Sequence, residues 1–332
     1  MRAVCVTERR ALEVREVPTP VNPPRGHILV DIEAGCINHG DKTFLARPMS
    51  TRGFNTSLYG IWGASAAGQV LSIGPDVPAK FAGKSVALYR SLTPSPHTVG
   101  LWCERALVPW TSCVILPDGV SAEDYSGSLV NVITAYAFLE EMAAAGHKGV
   151  IVTAGNSATG LAMAALTRNK NIPAIFLVRS EKSRETLLGL GVDHVLATSG
   201  KDFETEFSQL AEQLQTTAVF DGVGGEIIDR IAPQLPMNST LWFYGFLAGS
   251  TPVSVPSTLF MMKNLTMQPF SNFNSVTVRD RLAQALAFVQ EAIGDPLFRT
   301  KIGKTFGLEQ IAQAMAYEST PGAKAILVTK PA

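Results

Sequence analysis

Charge, cysteine and long apolar runs are all scarce in this chain of 332 residues. Only 17% of the residues are charged and 28 basic residues balance 28 acidic ones, which argues against a nucleic-acid partner. No segment approaches the run of about 20 apolar residues that a membrane-spanning helix needs, and the N-terminal stretch has no apolar signal core. Four scattered cysteines are too few for a disulfide framework. We therefore expect a cytoplasmic protein that binds neither nucleic acid nor membranes.

The pattern of apolar and turn-forming residues along the sequence changes near position 121. Up to about residue 120, short β-branched runs are separated by glycine and proline, as in a mainly-β domain. Ser121 and Asp124 resemble a capping box that opens a helix, and strand-like and helix-like segments alternate from there. Such alternation is typical of a doubly wound parallel sheet. Two amphipathic helices follow, and we expect the last strand, KAILVT, to return to the N-terminal domain.

The chain is long enough for two domains. The pattern predicts an α/β protein in which a doubly wound parallel (Rossmann) sheet domain is inserted into a mainly-β domain. The predicted limits are residues 122–270 for the inserted domain, and residues 1–121 with 271–332 for the mainly-β domain.

The segment VIVTAGNSATGLAMAAL joins a strand-like run to a helix-like run through a turn of small residues. Dinucleotide-binding turns of the form G-x-G-x-x-G bring backbone N–H groups at a helix N-terminus close to a pyrophosphate. Here Ser157 replaces the middle glycine; it is small enough for that approach, and its hydroxyl adds a donor. Small-residue turns also occur in α/β proteins that bind no nucleotide, so the turn alone leaves both interpretations open. The candidate pyrophosphate residues are Gly155, Ser157, Ala158, Thr159 and Gly160.

The end of the next strand-like run bears on the choice between the two nicotinamide nucleotides. An NAD site carries an acidic residue about 20 residues after the glycine turn, where it binds the ribose 2′-hydroxyl. The segment AIFLVRSEKSR offers Arg179, Ser180, Lys182 and Arg184 instead, with Glu181 as its only acid. Arginine binds phosphate oxygens in a bidentate manner, so this set favours the 2′-phosphate of NADPH. A solvated start of the following helix is the alternative.

Motifs along nearly the whole chain resemble the medium-chain dehydrogenase/reductase superfamily. GCINHGD (35–41) is similar to its substrate-cleft motif, and GASAAGQVLSIG (63–74) to its second glycine-rich segment. GLWCERALVP resembles the strand that closes its N-terminal domain, and NVITAY matches a stretch of its reductase branch. LLGLGVDHVL and VFDGVGG resemble its nucleotide-domain signatures, and GAKAILV its last strand. The resemblance implies a GroES-like mainly-β domain, and a homodimer formed through the sheet edge near LTMQPF.

The same resemblance indicates the branch of the superfamily. Its zinc enzymes hold the catalytic metal with a cysteine in the first motif, a His-Glu pair in the second and a later cysteine. Asn38 stands at the first of these positions and Ala64-Ser65 at the second. The four-cysteine structural lobe is missing as well. Because zinc is held by Cys, His or carboxylate ligands, we expect no metal, and we expect His39 to hydrogen-bond locally rather than to bind one.

The zinc-free branch comprises zeta-crystallin-like quinone oxidoreductases and 2-enoyl thioester reductases, which transfer a hydride from NADPH to a conjugated acceptor. The thioester reductases carry a tyrosine proton donor shortly after the asparagine of the first motif. This chain has Phe44 in that stretch, and Tyr59 is out of register. The resemblance therefore predicts an NADPH-dependent reductase of quinones or α,β-unsaturated carbonyls (enones). An enoyl thioester reductase is one alternative, and an NADPH-binding regulatory or structural protein with little catalysis is another.

Residue roles follow from the resemblance. Asn38 is expected near the nicotinamide or the acceptor oxygen, where its amide can donate to developing negative charge; a turn-forming asparagine is the alternative. Asp41 is expected to orient that loop or to contact the cofactor. Trp62, Phe44 and Phe270 are expected either to line an apolar acceptor pocket or to pack in the core. Further cofactor contacts are expected from Thr134, Gly222, Val223, Gly224, Tyr244, Gly245 and Lys324.

Three of these assignments have a structural alternative. Thr134 can hydrogen-bond its own helix backbone, Tyr244 can pack in the core against Trp242, and Lys324 can be an exposed strand lysine. No residue stands out as the acid, so the proton is expected from water or a nearby hydroxyl. Cys36 has no basic neighbour in the sequence that would make it a nucleophile.

Overall fold

The computed structural model describes residues 1–46, 57–90, 92–93, 95–97, 100–318, 320 and 322–330. Two compact units make up the chain, namely Met1–Ile133 with Val278–Ala332 (unit 1) and Thr134–Thr277 (unit 2). The domain limits 121/122 and 270/271 stay predictions, and each unit is described by itself. The strands and helices are, in chain order, β1 (Arg2–Val6), β2 (Leu12–Glu16), β3 (His27–Cys36), α1 (His39–Ala46), β4 (Ser65–Ile73), β5 (Ser85–Tyr89), β6 (Arg105–Pro109), β7 (Cys113–Ile115), α2 (Ser128–Ala144), β8 (Gly149–Val152), α3 (Ala158–Lys170), β9 (Ala174–Val178), α4 (Glu181–Gly189), β10 (Val195–Ala197), α5 (Phe203–Gln213), β11 (Thr216–Asp221), α6 (Glu226–Ile231), β12 (Thr240–Phe243), α7 (Ser257–Lys263), β13 (Thr266–Pro269), α8 (Val276–Asp280), α9 (Leu282–Ala292), β14 (Ile302–Gly307), α10 (Ile311–Ala316) and β15 (Lys324–Val328).

Unit 2 is built on a parallel six-stranded sheet with the order β10-β9-β8-β11-β12-β13. All residues of β8 and β9 are buried, as expected of parallel strands that are covered by helices on both faces. The chain reverses its direction across the sheet between β8 and β11, which creates a topological switch point at the carboxyl ends of these strands. The predicted doubly wound sheet is therefore confirmed.

Unit 1 contains a mixed sheet with the order β14-β15-β3-β4-β5-β7, and β6 pairs with β3. β15 pairs antiparallel with the end of β3, with Ile326 opposite Cys36. This confirms that the KAILVT strand returns to the mainly-β part of the chain. The pairing of β15, β3 and β4 also brings the end of β3 beside the beginnings of β15 and β4.

The helix that precedes β8 begins later than the capping box predicted. The Ser121 hydroxyl accepts a hydrogen bond from the Glu123 N–H at 3.3 Å, and only the short 3-10 turn Glu123–Tyr125, whose N-cap is Ala122, follows it. The N–H of Gly127 donates to the side chain of Thr300 at 2.9 Å instead of continuing a helix. α2 therefore starts at Ser128, and the prediction of a helix opened by Ser121 and Asp124 is wrong.

Candidate active site

A polar cluster lies in unit 1 where β3 ends. The Asn38 side chain, which is 9% exposed, donates from Nδ2 to Ser65 Oγ at 2.8 Å. The Nζ atom of Lys324 donates to Asn38 Oδ1 at 3.3 Å. In these two contacts Nδ2 donates and Oδ1 accepts, and together they define the orientation of the amide group. The three residues come from three neighbouring strands, because Ser65 begins β4 and Lys324 begins β15.

Asp41 ties together the two loops beside this cluster. Its Oδ2 accepts from the Asn38 N–H at 2.8 Å, and its Oδ1 accepts from the Ala64 N–H at 3.1 Å. Burial raises the pKa of the carboxyl group to about 6, although both N–H groups and the charge of Arg90 lower it. These contacts support the loop-orienting interpretation of Asp41.

His39 and Lys42 of α1 interact with the charge of Lys324. The pKa of His39 is lowered, first by partial desolvation and then by the charges of Lys324 and Lys42. Lys42 donates from Nζ to the carbonyl of Tyr317 at 3.1 Å. Burial raises the pKa of the Cys36 thiol to about 12, so Cys36 stays an unreactive thiol.

The aromatic residues considered for an acceptor pocket have different environments. Trp62 is buried in unit 1, with the guanidinium of Arg10 5.5 Å from its ring centre. Phe270 is buried in unit 2, edge-on to Phe138 at 5.6 Å. Both positions support the core alternative, whereas Phe44 in α1 is half-buried.

In unit 2, the small-residue turn between β8 and α3 is tight. Ser157 is the N-cap of α3, and its hydroxyl accepts from the Gly160 N–H at 3.1 Å. A Cβ added at Gly160 would lie 2.3 Å from the carbonyl oxygen of Gly155, so only glycine fits there. Ala154 has a φ of 50°, a left-handed conformation that is uncommon for alanine. The turn thus presents the open N-terminus of a 13-residue helix.

The basic residues after β9 are not equivalent. The guanidinium of Arg184 donates to the carbonyl of Val195 at 3.0 Å and pairs with Glu181 at 3.2 Å, so it already has protein partners. Arg179 and Lys182 are exposed, and within the described part of the chain their side chains make no hydrogen bond or ion pair. Ser180 is the N-cap of α4.

The end of β11 contains a buried carboxylate that the sequence interpretation did not single out. Asp221 accepts from the Thr153 hydroxyl at 2.5 Å and from the N–H groups of Val223 and Gly224 at 3.1 and 2.8 Å. Thr153 in turn accepts from the Gly222 N–H at 2.9 Å. Burial raises the pKa of Asp221. The contacts hold the Gly222–Gly224 segment at the carboxyl edge, beside the turn that follows β8.

Tyr244, at the end of β12, reaches across this edge. Its ring stacks on Phe220 with 3.9 Å between ring centres, and its hydroxyl is hydrogen-bonded to Ser157 and Thr159. Burial, more than any other cause, raises the pKa of Tyr244 above its usual range. A Cβ at Gly222 would lie 2.6 Å from the Tyr244 oxygen. Tyr244 thus contacts the turn itself as well as the core residue Phe220.

Two further predicted cofactor residues make specific contacts within unit 2. Thr134 is half-buried in α2, and its hydroxyl accepts from Asn272 Nδ2 at 2.8 Å. Gly245 packs on Gly222, since a Cβ there would lie 2.8 Å from the Gly222 oxygen. The structure therefore brings together the residues predicted at the ends of β8, β9, β11 and β12.

The carboxyl edge of the unit 2 sheet fits a dinucleotide. Gly155 and Gly160 carry no side chain at the two ends of the turn, and the start of α3 offers the N–H groups and positive dipole end that attract a pyrophosphate. Arg179 and Lys182 give the end of β9 a positive charge suited to a phosphate.

The donor set at the zinc positions does not suit zinc. An amide, Asn38, and a hydroxyl, Ser65, bond to each other at these positions, and neither residue type is a usual zinc ligand. Within the described ranges, no group of three or more His, Cys, Asp or Glu residues is arranged to hold a metal ion. In the same part of the chain, no helix combines the length and the apolar character needed to cross a membrane.

Comparisons with known proteins agree with this architecture. The family described as "Zinc-binding dehydrogenase" matches residues 158–291, which excludes Asn38 and Ser65. Quinone oxidoreductase-like protein 2 of Bos taurus is 26% identical over 95% of this chain and 88% of its own length. The synaptic vesicle membrane protein VAT-1 homolog of Danio rerio is 24% identical over 81% of this chain. The match covers 58% of the Danio rerio protein, so the chain spans less than two thirds of that relative.

Among solved structures, a mycobacterial protein in complex with NADPH has the same fold. It superposes with a TM-score of 0.73, at 22% identity, over 99% of this chain and 100% of that chain. Together with the two units described above, these similarities support a resemblance to the zinc-independent branch of the medium-chain dehydrogenase/reductase superfamily.

Proposed function

We propose that the chain is a zinc-independent oxidoreductase that uses NADPH to reduce a quinone or an enone. The observation that carries the proposal is the turn between β8 and α3, in which Gly160 packs against Gly155 with no room for a side chain. A turn of this kind beside a positively charged strand end is suited to a dinucleotide with an additional phosphate. The similarity to a protein solved with NADPH supports the same choice.

The residues proposed to hold the cofactor fall into three groups. The helix N-terminus at Ser157–Gly160, with the Tyr244 hydroxyl, would bind the pyrophosphate. Arg179 and Lys182, with Ser180 beside them, would bind the 2′-phosphate, while Arg184 supports α4 through Val195 and Glu181. Thr134, Gly222–Gly224, Gly245 and Lys324 remain candidates for contacts with the rest of the nucleotide. The reduced nicotinamide supplies a hydride when it is bound.

A quinone or enone acceptor is favoured by the residues in unit 1. Asn38 and Ser65 replace metal ligands with neutral hydrogen-bonding groups, so the chain's own donors must polarise the acceptor. Phe44 stands in the stretch where thioester reductases carry a tyrosine, which disfavours an enoyl thioester. The similarity to quinone oxidoreductase-like protein 2 points in the same direction.

The edge of the unit 2 sheet supports a homodimer. Among the described residues, β13 pairs only with β12, so its other side presents backbone N–H and C=O groups. Met261 and Met262 on α7 are 85% and 74% exposed. Exposed apolar side chains of this kind often mark interfaces, and a second copy would cover them. A cytoplasmic location remains a prediction.

The assay that tests the function measures oxidation of NADPH and of NADH by the purified protein. A quinone, an enone and an enoyl-CoA serve as acceptors in parallel reactions. We expect turnover with NADPH and with the quinone or the enone. Preference for enoyl-CoA would favour the thioester reductase alternative. Tight NADPH binding without turnover of any acceptor would instead support the regulatory or structural alternative.

A further inference from the structure

The ammonium group of Lys324 has more donors than partners. An ammonium group can donate three hydrogen bonds, and within the described part of the chain Lys324 donates one, to Asn38 Oδ1 at 3.3 Å. The residue is half-buried at the start of β15. A partly desolvated cation with remaining donors is suited to a negatively charged oxygen.

The amide of Asn38 is held in one orientation beside this cation. Ser65 is fully buried, and its hydroxyl accepts a hydrogen bond from Asn38 Nδ2 at 2.8 Å. Because Oδ1 accepts from Lys324, the second Nδ2 proton is the remaining donor of Asn38. The ammonium group can only donate, so it faces Oδ1, and the hydrogen bond to Ser65 holds the other end of the amide in place.

We propose that Lys324 and Asn38 form an oxyanion site for the acceptor, that Lys324 is the proton donor of the reaction, and that Ser65 positions Asn38. The inference rests on the proposed function and deepens it. It moves Lys324 from a cofactor contact to a catalytic residue. It also defines the acceptor chemically, as a compound whose carbonyl oxygen becomes an enolate or a hydroquinone anion on reduction.

The proposed step balances. The reduced nicotinamide, when bound, would supply a hydride with its electron pair to a carbon of an enone or to one oxygen of a quinone, and the conjugated π electrons would shift onto the remaining carbonyl oxygen. That oxygen forms a bond to a proton of Lys324, and the N–H bond of the ammonium group breaks. The lysine is left as a neutral amine, which regains its proton from water. The acceptor has then gained two electrons and two hydrogens.

Other titratable groups near Lys324 are less suited to this role. Both oxygens of Asp41 accept backbone N–H groups, and Cys36 is a buried thiol with a raised pKa. Desolvation and the charges of Lys324 and Lys42 lower the pKa of His39, which disfavours the protonated ring that would be needed to donate. Lys42 directs its ammonium group to the Tyr317 carbonyl and interacts with the charge of Glu318.

The test uses the whole protein without cofactor and 4-nitrophenol, whose phenolate mimics the oxyanion and is detected by its absorbance. Affinities for the phenol and the phenolate are obtained by titration at several pH values. We expect the wild type to bind phenolate about tenfold to a hundredfold more tightly than the phenol, because charged donors strengthen such bonds. Lys324→Met should lose this preference and Ser65→Ala should weaken it. Lys42→Met, the matched control that removes a neighbouring lysine, should retain it.

Turnover separates oxyanion binding from proton transfer. Lys324→Arg keeps a cation but offers no proton at neutral pH, so it should retain phenolate binding and lower kcat about a hundredfold. Phenolate preference that persists in Lys324→Met, or is absent from the wild type, would overturn the site. Unchanged kcat in Lys324→Arg would overturn the proton transfer. NADPH binding, measured separately by fluorescence, reports on the proposed cofactor use and not on the oxyanion site.

Discussion

The two units assemble their polar sites in different ways. In unit 2, the candidate residues other than Thr134 occupy short consecutive stretches that each follow a strand of a parallel sheet. In unit 1, Asn38, Ser65 and Lys324 come from three strands, and the contact between Asn38 and Lys324 joins positions 286 residues apart. Parallel strands place their following turns on one edge by topology alone, whereas the unit 1 cluster depends on the pairing of β15, β3 and β4.

The largest effect is expected where the unit 2 turn depends on backbone packing. Gly160→Ala places a Cβ 2.3 Å from the Gly155 oxygen, so the turn must open. We expect a loss of about 3 kcal/mol in the free energy of unfolding, as for a severely overpacked site, and loss of NADPH binding. Urea unfolding and a fluorescence titration measure the two effects.

A matched glycine tests whether this effect is specific to the turn. Gly189 ends α4, and nothing lies within 4 Å of a Cβ added there. Gly189→Ala should bind NADPH as the wild type does. Equal binding by Gly160→Ala would show that the turn does not need its close packing.

The pH dependence of stability tests the buried carboxylate of unit 1. The pKa of Asp41 is raised to about 6 in the folded protein, so the folded state binds this proton more tightly than the unfolded state. Its contribution is fully present below the unfolded value of 3.8 and is lost as the pH rises through about 6. The loss between pH 4 and pH 7 is expected to be roughly 2 kcal/mol.

Asp41→Asn removes this titration and should flatten the pH dependence of the free energy of unfolding by that amount. Asp221, whose pKa is also raised, is present in both proteins and contributes equally to both curves. Parallel curves for the variant and the wild type would contradict the raised pKa of Asp41.

A smaller effect is expected at the basic end of β9. Arg179→Ala removes an exposed guanidinium proposed to bind the 2′-phosphate, and should weaken NADPH binding about 10- to 100-fold while leaving NADH binding unchanged. Arg168→Ala is the control, because Arg168 lies in the last turn of α3, at the end opposite the nucleotide turn. An unchanged ratio of the two dissociation constants in Arg179→Ala would remove the phosphate assignment.

The smallest effect is expected for the hydroxyl that joins β12 to the turn. Tyr244→Phe keeps the stacking on Phe220 and deletes the hydrogen bonds to Ser157 and Thr159. We expect NADPH binding to weaken by about 1 kcal/mol, the usual contribution of a neutral hydrogen bond. Calorimetric titration measures the change, with the exposed Tyr59 changed to phenylalanine as the control. Equal affinities for both variants would assign Tyr244 a packing role only.

The sequence allowed the unit 2 sheet and turn to be predicted in some detail, because their signals are local. The β-branched run of β8, the small residues 155–160 and the following helix are consecutive, so spacing alone orders them. Arg184 shows the limit of that reasoning. Its basic character was visible, but its engagement with Val195 depends on where β10 lies. The predicted start of α2 was wrong because the N–H of Gly127 donates to the side chain of Thr300, which is distant in the sequence.

By itself, the sequence determined the order of strands and helices, the tight turn and the absence of metal-ligand types at Asn38 and Ser65. Periodicity, small-residue spacing and side-chain chemistry are properties of short segments, so they can be identified from the sequence alone. Tertiary structure alone decided that Lys324 bonds to Asn38, that Ser65 orients the amide and that Asp41 loses its solvent. Such contacts depend on which strands pair and on how much water they exclude, and neither is encoded within any one segment.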